Sequence, residues 1–204
     1  MTEHPRLPGR MARVDDVRDR SDAWPVVHET VPYQTGYLRL SHETIEAPDG
    51  STHERAVVRP NGAVAVLALD EDDRVLLVAQ YRHPVGMRMA ELVAGTLDVA
   101  GETPVEAAAR ELAEEAELAA EQWRSLLRLT ATPGYSSEQW EVFTATDLRP
   151  IADHERVERH GEEAGIEQWW LPFEDAVEAV LSGAISDALS VAAVLAERTR
   201  RARS

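Results

Sequence analysis

Residues 101–118, GETPVEAAARELAEEAEL, restrict the fold more tightly than any other stretch of the chain. Thr103 suits an N-cap, Pro104 the first helical position and Glu106 the capping-box acid three residues after the cap, so the spacing predicts one short helix. Val105, Ala109, Leu112 and Ala116 recur at helical intervals and form the expected buried stripe. Glu111, Glu114 and Glu115 fall on neighbouring rows of one surface, and Arg110 stands four residues before Glu114, where the two can pair. Two like charges at about 4 Å repel by roughly 4 kcal/mol at an effective dielectric near 20. A folded domain is stable by only about 5–15 kcal/mol in all. Carboxylates that converge in a partly buried place therefore call for a cation, and hard divalent ions with oxygen ligands, magnesium above all, fill that role. Taken alone, the same residues also suit a solvated acidic face with one Arg–Glu pair.

Their order narrows the choice. Glu102, Arg110, Glu111, Leu112, Glu114, Glu115 and Leu118 stand at the spacing of the pattern Gly-x5-Glu-x7-Arg-Glu-U-x-Glu-Glu-x-Gly-U, where U is apolar, and the segment resembles the Nudix box. Two positions depart from it. Thr96 stands where the first glycine belongs and the glycine is Gly95, so the loop GTLDVAGE carries one extra residue. Glu117 replaces the late glycine, and a left-handed residue there costs a non-glycine about 1–2 kcal/mol. The resemblance implies an α/β fold, the Nudix α/β/α sandwich with a mixed sheet, extended here by N-terminal strands.

The chain has 204 residues, 44% of them hydrophobic, enough for one sizeable core. The expected organisation is a disordered or loosely attached segment over 1–22 and a single domain over 23–204, with N-terminal strands at about 24–60 and the core at about 61–200. No cysteine is present, which excludes disulfides and thiolate metal sites. No apolar run is long enough to span a membrane. The polar start MTEHPRLPGRMARVDD lacks the apolar stretch of a secretory signal, and the cytoplasm is the expected compartment. A net charge of −16 disfavours a nucleic-acid surface, while a small anionic substrate remains compatible with a local site of arginines and metal ions. The basic end ERTRRARS reads as frayed or solubilising.

Strand patterns appear in VVHETVPY and YLRLSHETIEA, and the turn APDGS closes a hairpin into THERAVVRP. GAVAVLALD and RVLLVAQYR, joined by EDD, read as a second hairpin. SLLRLTATP, QWEVFTATDL and IEQWWLP read as further strands, with an acidic loop over 149–165. FEDAVEAVLSG and SDALSVAAVLAERTRR read as helices, the second capped by Ser186.

Beyond the box the chain resembles the ADP-ribose pyrophosphatase branch of the family, actinobacterial members in particular, over about residues 30–195. AQYRHPVGMRMAELVAG precedes the box, Pro133 in ATPGYSSE follows it, and strands lie before the core. Ala90 and Val93 replace a tryptophan and a proline of that branch, which bears on the shape of the pocket.

The resemblance implies magnesium-dependent hydrolysis of a pyrophosphate bond, with manganese as the substitute metal, and a nucleoside diphosphate derivative as substrate, ADP-ribose first. Glu111 and Glu115 are the expected metal ligands, joined by Glu114 and the Ala94 carbonyl. Arg110 would orient the glutamates by bidentate pairing. Glu102 either caps or orients the helix, binds metal through water, or serves as a first-turn acid favoured by the helix dipole. The general base falls in HGEEAGIEQWW, where Glu163 is preferred over Glu162, with Glu138 in reserve. Arg82 resembles a phosphate-contacting arginine and Arg55 one donated across a homodimer; each also reads as an ordinary surface arginine. Tyr135 or a tryptophan would stack on the base, although Trp169 and Trp170 suit core or rim packing better. The competing readings are hydrolysis of a nucleotide sugar or dinucleotide, and a catalytically silent Nudix module that binds a nucleotide and regulates a partner.

Overall fold

The computed structural model describes residues 2–157 and 165–203. Its strands are β1 (Thr2–Glu3), β2 (Arg10–Met11), β3 (Val26–Gln34), β4 (Leu38–Glu46), β5 (Thr52–Pro60), β6 (Ala63–Ala68), β7 (Arg74–Arg82), β8 (Met87–Glu91), β9 (Val93–Thr96), β10 (Leu118–Thr130), β11 (Gln139–Pro150) and β12 (Glu167–Pro172). Its α-helices are α1 (Pro104–Ala116), α2 (Phe173–Leu181) and α3 (Ala188–Arg201).

The chain divides into two compact units, Met1–Thr30 with His42–Arg55, and Val31–Ser41 with Ala56–Ser204. In the smaller unit β1 and β2 pair antiparallel, Thr2 opposite Met11. The expected turn APDGS closes there, the Ala47 N–H donating to the Ser51 carbonyl and the Gly50 N–H to that of Ala47, with Gly50 at φ 80. The strands on either side of it, β4 and β5, are neighbours in a three-stranded sheet of order β3-β4-β5.

The larger unit carries two sheets. One has the order β10-β11-β6-β9 and is mixed, since β11 and β6 run parallel while the other pairs run antiparallel. The second is antiparallel, of order β12-β7-β8. The two central apolar runs are thus in different sheets, and β6 and β7 are not the hairpin expected; one bridge, Leu69 to Val75, closes the turn between them. The reason is burial on both faces. Val64, Val66, Ala68, Leu76 and Val78 pack on the side of α1, and Ala65, Leu67, Leu69, Val75 and Leu77 on the side of α2 and α3. Each strand needs helices above and below it, and the result is the α/β/α sandwich.

Helix α1 begins as its sequence predicts. The Thr103 side chain accepts from the Glu106 N–H, Glu106 reaches back to Thr103, and Pro104 follows the cap. It ends at Glu117 in the left-handed conformation, φ 58 and ψ 33. The buried face differs from the expected stripe. Ala107, Ala108, Leu112, Glu115 and Ala116 are buried, Val105 is half-buried and Ala109 is exposed. Adjacent alanines carry no volume difference that would reveal the rotation of the helix.

Helix α3 is capped by Asp187, whose side chain accepts from the Ser190 N–H, and not by Ser186. Its far end is bolted down through Glu197, 1% exposed. That carboxylate accepts from Arg124 at 2.8 Å, from Arg200 at 2.7 and 2.9 Å, and from Arg201 at 3.0 Å. Burial works against the charge, yet the hydrogen bonds from Arg200, Arg201 and Arg124 hold the Glu197 pKa down to about 2 from 4.5. A group depressed in the folded state contributes stability above its unfolded pKa and loses it as pH falls through the folded one. The contribution should therefore be whole above pH 4.5 and drain away towards pH 2. Glu197→Gln leaves three guanidinium groups around a neutral amide and should cost about 3 kcal/mol near neutrality. Urea melts at several pH values check both, since the variant should also show a shallower loss of stability in acid.

Candidate active site

Strand β9 and helix α1 build the site. β9 pairs with β6, Ala94 opposite Ala65 and Gly95 opposite Val64, and lies against the face of α1 that carries the glutamates. Glu115 sits on the buried stripe of α1 beside Leu112 and Ala116 and is only 4% exposed. The Ala94 N–H donates to its Oε2 at 3.2 Å. The neighbouring residue meets the other expected ligand. A Cβ added to Gly95 would collide with the Glu111 carboxyl carbon. Gly95 has no positive φ to explain it. What the position requires is the absence of a side chain, because the Glu111 carboxylate occupies that space. Glu111 and Glu115 stand four apart on α1, so their side chains leave neighbouring turns of one helix face.

Arg110 gathers the remaining acids. Its Nε and Nη2 donate to the two oxygens of Glu102 at 3.1 and 3.2 Å, and its Nη1 donates to Glu111 at 2.6 Å and to Glu114 at 3.3 Å. Asp98 lies 3.7 Å from Nη2. Hydrogen bonding to Glu102 and, against opposing burial, the charge of Glu111 hold the guanidinium above the ordinary arginine pKa. The expected i,i+4 pairing of Arg110 with Glu114 is present. The bidentate partner is Glu102, which is thereby tied to the middle of the helix.

Four carboxylates gather about Arg110, with Glu115 buried alongside. That donor set, hard oxygens from one helix beside a backbone strand, fits a divalent cation. Among the described residues no three acids or histidines are already drawn together at ligand distances. The carboxylates instead hold Arg110 and the Ala94 N–H.

Beside this cluster opens a cavity of about 690 Å³. It is lined by Ala94, Gly95 and Thr96, by Arg82 and Glu91, and by Glu138, Trp140 and Asp187, among others. Arg82 donates to Glu91 through Nε at 3.0 and 3.1 Å and Nη2 at 2.6 Å. Burial opposes the charge on Arg82, but the hydrogen bonds to Glu91 and the fields of Glu91, Glu115 and Asp187 outweigh it and raise the pKa. Glu138 reaches the cavity because its segment is clamped to β5: the Val58 N–H donates to the Tyr135 carbonyl and the Ser137 N–H to that of Val58.

The structure thus brings Ala94, Arg82 and Glu138 together at the cavity, with Glu102, Arg110, Glu111, Glu114 and Glu115 forming the adjoining cluster. It does not bring in Tyr135, which is 58% exposed and lines no part of the cavity. Arg55 belongs to the smaller unit, where its guanidinium donates to the Glu54 carbonyl. Glu162 and Glu163 lie outside the described residues. Trp169 and Trp170 stand exposed on β12. Sequence reasoning passes over Glu91, Trp140 and Asp187. A lone acid inside the apolar run MAELVAG is the available signal for Glu91.

Comparison with known proteins identifies the family. A family model described as NUDIX domain matches residues 59–192. The ADP-ribose pyrophosphatase of Mycobacterium tuberculosis is 43% identical over 172 residues, 82% of each chain. That of Bacillus subtilis is 32% identical over 157 residues, 77% of this chain and 83% of the relative. A crystal structure of an ADP compounds hydrolase superposes with a TM-score of 0.73 at 21% identity, covering 89% of this chain and 96% of the other.

Proposed function

This chain belongs to the Nudix family, and from that premise we propose that it hydrolyses the pyrophosphate linkage of ADP-ribose to AMP and ribose 5-phosphate. It is a Nudix pyrophosphohydrolase. The observation that carries the reading is the seating of the Glu111 and Glu115 carboxylates on consecutive residues of β9, at the edge of a cavity that also holds Arg82. Two relatives named as ADP-ribose pyrophosphatases support the choice of substrate.

Glu111 and Glu115 are the proposed first ligands of a divalent cation, with Glu114 and the Ala94 carbonyl beside them and magnesium, or manganese in its place, as the ion. When bound, such an ion neutralises the diphosphate and makes the attacking water more acidic. Arg110 keeps the glutamates oriented while Glu102 anchors Arg110. Arg82 contacts a phosphate by turning from Glu91 towards the cavity. Glu163 takes the proton from water, with Glu162 and Glu138 as successors in that role. Trp140, on the cavity wall, is better placed than Tyr135 to meet the base or ribose. The proposed assembly is a cytoplasmic homodimer to which Arg55 is contributed by the second copy.

The test is AMP release from ADP-ribose with and without magnesium, beside a panel of nucleotide sugars and dinucleotides. Magnesium-dependent release from ADP-ribose above all others is the expected result. Preference for another compound would keep the chemistry and move the substrate, and binding without turnover of any would favour the silent module. Glu163→Gln should slow hydrolysis by roughly 10²–10⁴-fold, the usual contribution of a general base. A full-speed variant would pass the role to Glu162 or Glu138.

A further inference from the structure

Gln80 presents a buried donor with no acceptor. The residue is 3% exposed, and its Nε2 is the one buried side-chain nitrogen or oxygen among the described residues without a hydrogen-bond partner. Leaving an amide unpaired out of water is costly, and native chains keep such groups for a reason.

Its surroundings indicate the reason. In the antiparallel register of β7 and β8, Val78 stands opposite Glu91, Gln80 opposite Met89 and Arg82 opposite Met87. Side chains alternate along a strand, so Gln80, Arg82, Met89 and Glu91 share one face of the sheet. Gln80 is then the diagonal neighbour of Glu91, at a spacing that long side chains bridge. Glu91 is itself buried, 6% exposed, and its charge is balanced by the Nε and Nη2 of Arg82. Arg82 and Glu91 both line the cavity, whereas Gln80 does not.

The arrangement poses a difficulty for catalysis. If Arg82 turns to a substrate phosphate, a buried carboxylate loses its guanidinium partner, which is strongly unfavourable. We infer that Gln80 is a positioning residue that takes over Glu91 when Arg82 turns to the substrate. The inference rests on the phosphate-contacting role given to Arg82 above. In the free enzyme Arg82 holds Glu91 and the Gln80 amide waits unpaired. In the complex Arg82 donates to phosphate, and Gln80 Nε2 donates to the oxygens that Arg82 has released. The instability of the waiting amide is the stored cost, and substrate binding relieves it. No bond is made or broken and no proton moves.

Gln80→Leu and Gln80→Met remove the amide at nearly constant size. Each should raise the melting temperature of the free enzyme, by about 2–4 °C or more for a chain of this length. Each should also raise KM for ADP-ribose roughly tenfold, the size of one hydrogen bond to a charged group, with a smaller effect on kcat. The melting shift induced by α,β-methylene ADP-ribose should shrink in parallel. In a Glu91→Gln background the Gln80→Leu effect on KM should vanish, because no buried charge is left to hold. A higher melting temperature with unchanged KM and unchanged analogue-induced shift would make Gln80 a mere packing defect and overturn the inference. A lower melting temperature in both variants would show that the amide is already satisfied, and would overturn it equally. Arg82→Gln separates the two layers. If it leaves KM untouched, the phosphate role of Arg82 falls and this inference with it. If it raises KM while the Gln80 variants do not, only the inference falls.

Discussion

Glu115→Gln should fold as the parent does and lose turnover by about 10²–10³-fold, the scale reached when one preorganised group that stabilises a developing charge is removed. The two halves of that result have separate causes. Glutamine keeps the shape of the side chain, and its carbonyl oxygen can still accept from the Ala94 N–H, so the packing beside Leu112 and Ala116 survives. The substitution also removes one negative charge from beside an acidic cluster, and the melting temperature should stay close to that of the parent. What is lost is a hard anionic oxygen. A melting curve and a magnesium-dependent assay on one preparation read both halves. Undiminished turnover would remove Glu115 from the metal set.

Gly95→Ala should give a comparable loss of activity, by about 10²–10³-fold, from a single methyl group. The backbone at residue 95 has no positive φ, so alanine is accommodated there without strain. The new Cβ meets the end of the Glu111 side chain, which is flexible and can swing away. Stability should therefore change by no more than about 1 kcal/mol. Glu111 would no longer lie beside Glu115, and the distortion should appear as weakened magnesium binding by calorimetry. A variant of full activity would mean that Glu111 reaches its working position from another rotamer. A variant that fails to fold would place the role of Gly95 in the backbone.

These two expectations differ in how far they can be read from the chain alone. The helix and its ends are legible because their signals are local. Thr103, Pro104 and Glu106 at one end and the forced left-handed Glu117 at the other act within a turn or two. The place of Glu111 and Glu115 in the Nudix pattern is legible from their order along the helix. The burial of Glu115 is not, since a glutamate in an acidic run looks like surface until a strand is laid over it. Periodicity puts Ala109 where Ala108 belongs because alanines report helix phase poorly. Ser186 and Asp187 are adjacent and equally suited to capping, and only the fold decides which side chain faces the Ser190 N–H. The division of β6 and β7 between two sheets depends on helices far away in sequence. The same holds for Glu91, Trp140 and Asp187, which meet at the cavity from separate elements and share no motif. Gln80 belongs to this group too, because an unpaired amide is a property of its surroundings and leaves no trace in the letters QYR.

Strands β6 and β7 carry a hazard that the finished molecule conceals. VAVLAL and VLLVAQ, residues 64–69 and 75–80, are apolar except for Gln80, carry two valines each and are free of charge and proline, the composition of segments that stack between chains when left uncovered. Neither strand is safe until α1 lies on one side and α2 and α3 on the other, and the last of these helices leaves the ribosome well after both strands. Between them the chain places Asp70, Glu71, Asp72, Asp73 and Arg74 without interruption. That charged run does more than turn the chain from one sheet to the other. Charges that flank an apolar strand in this way oppose its stacking on other copies while the chain is still uncovered.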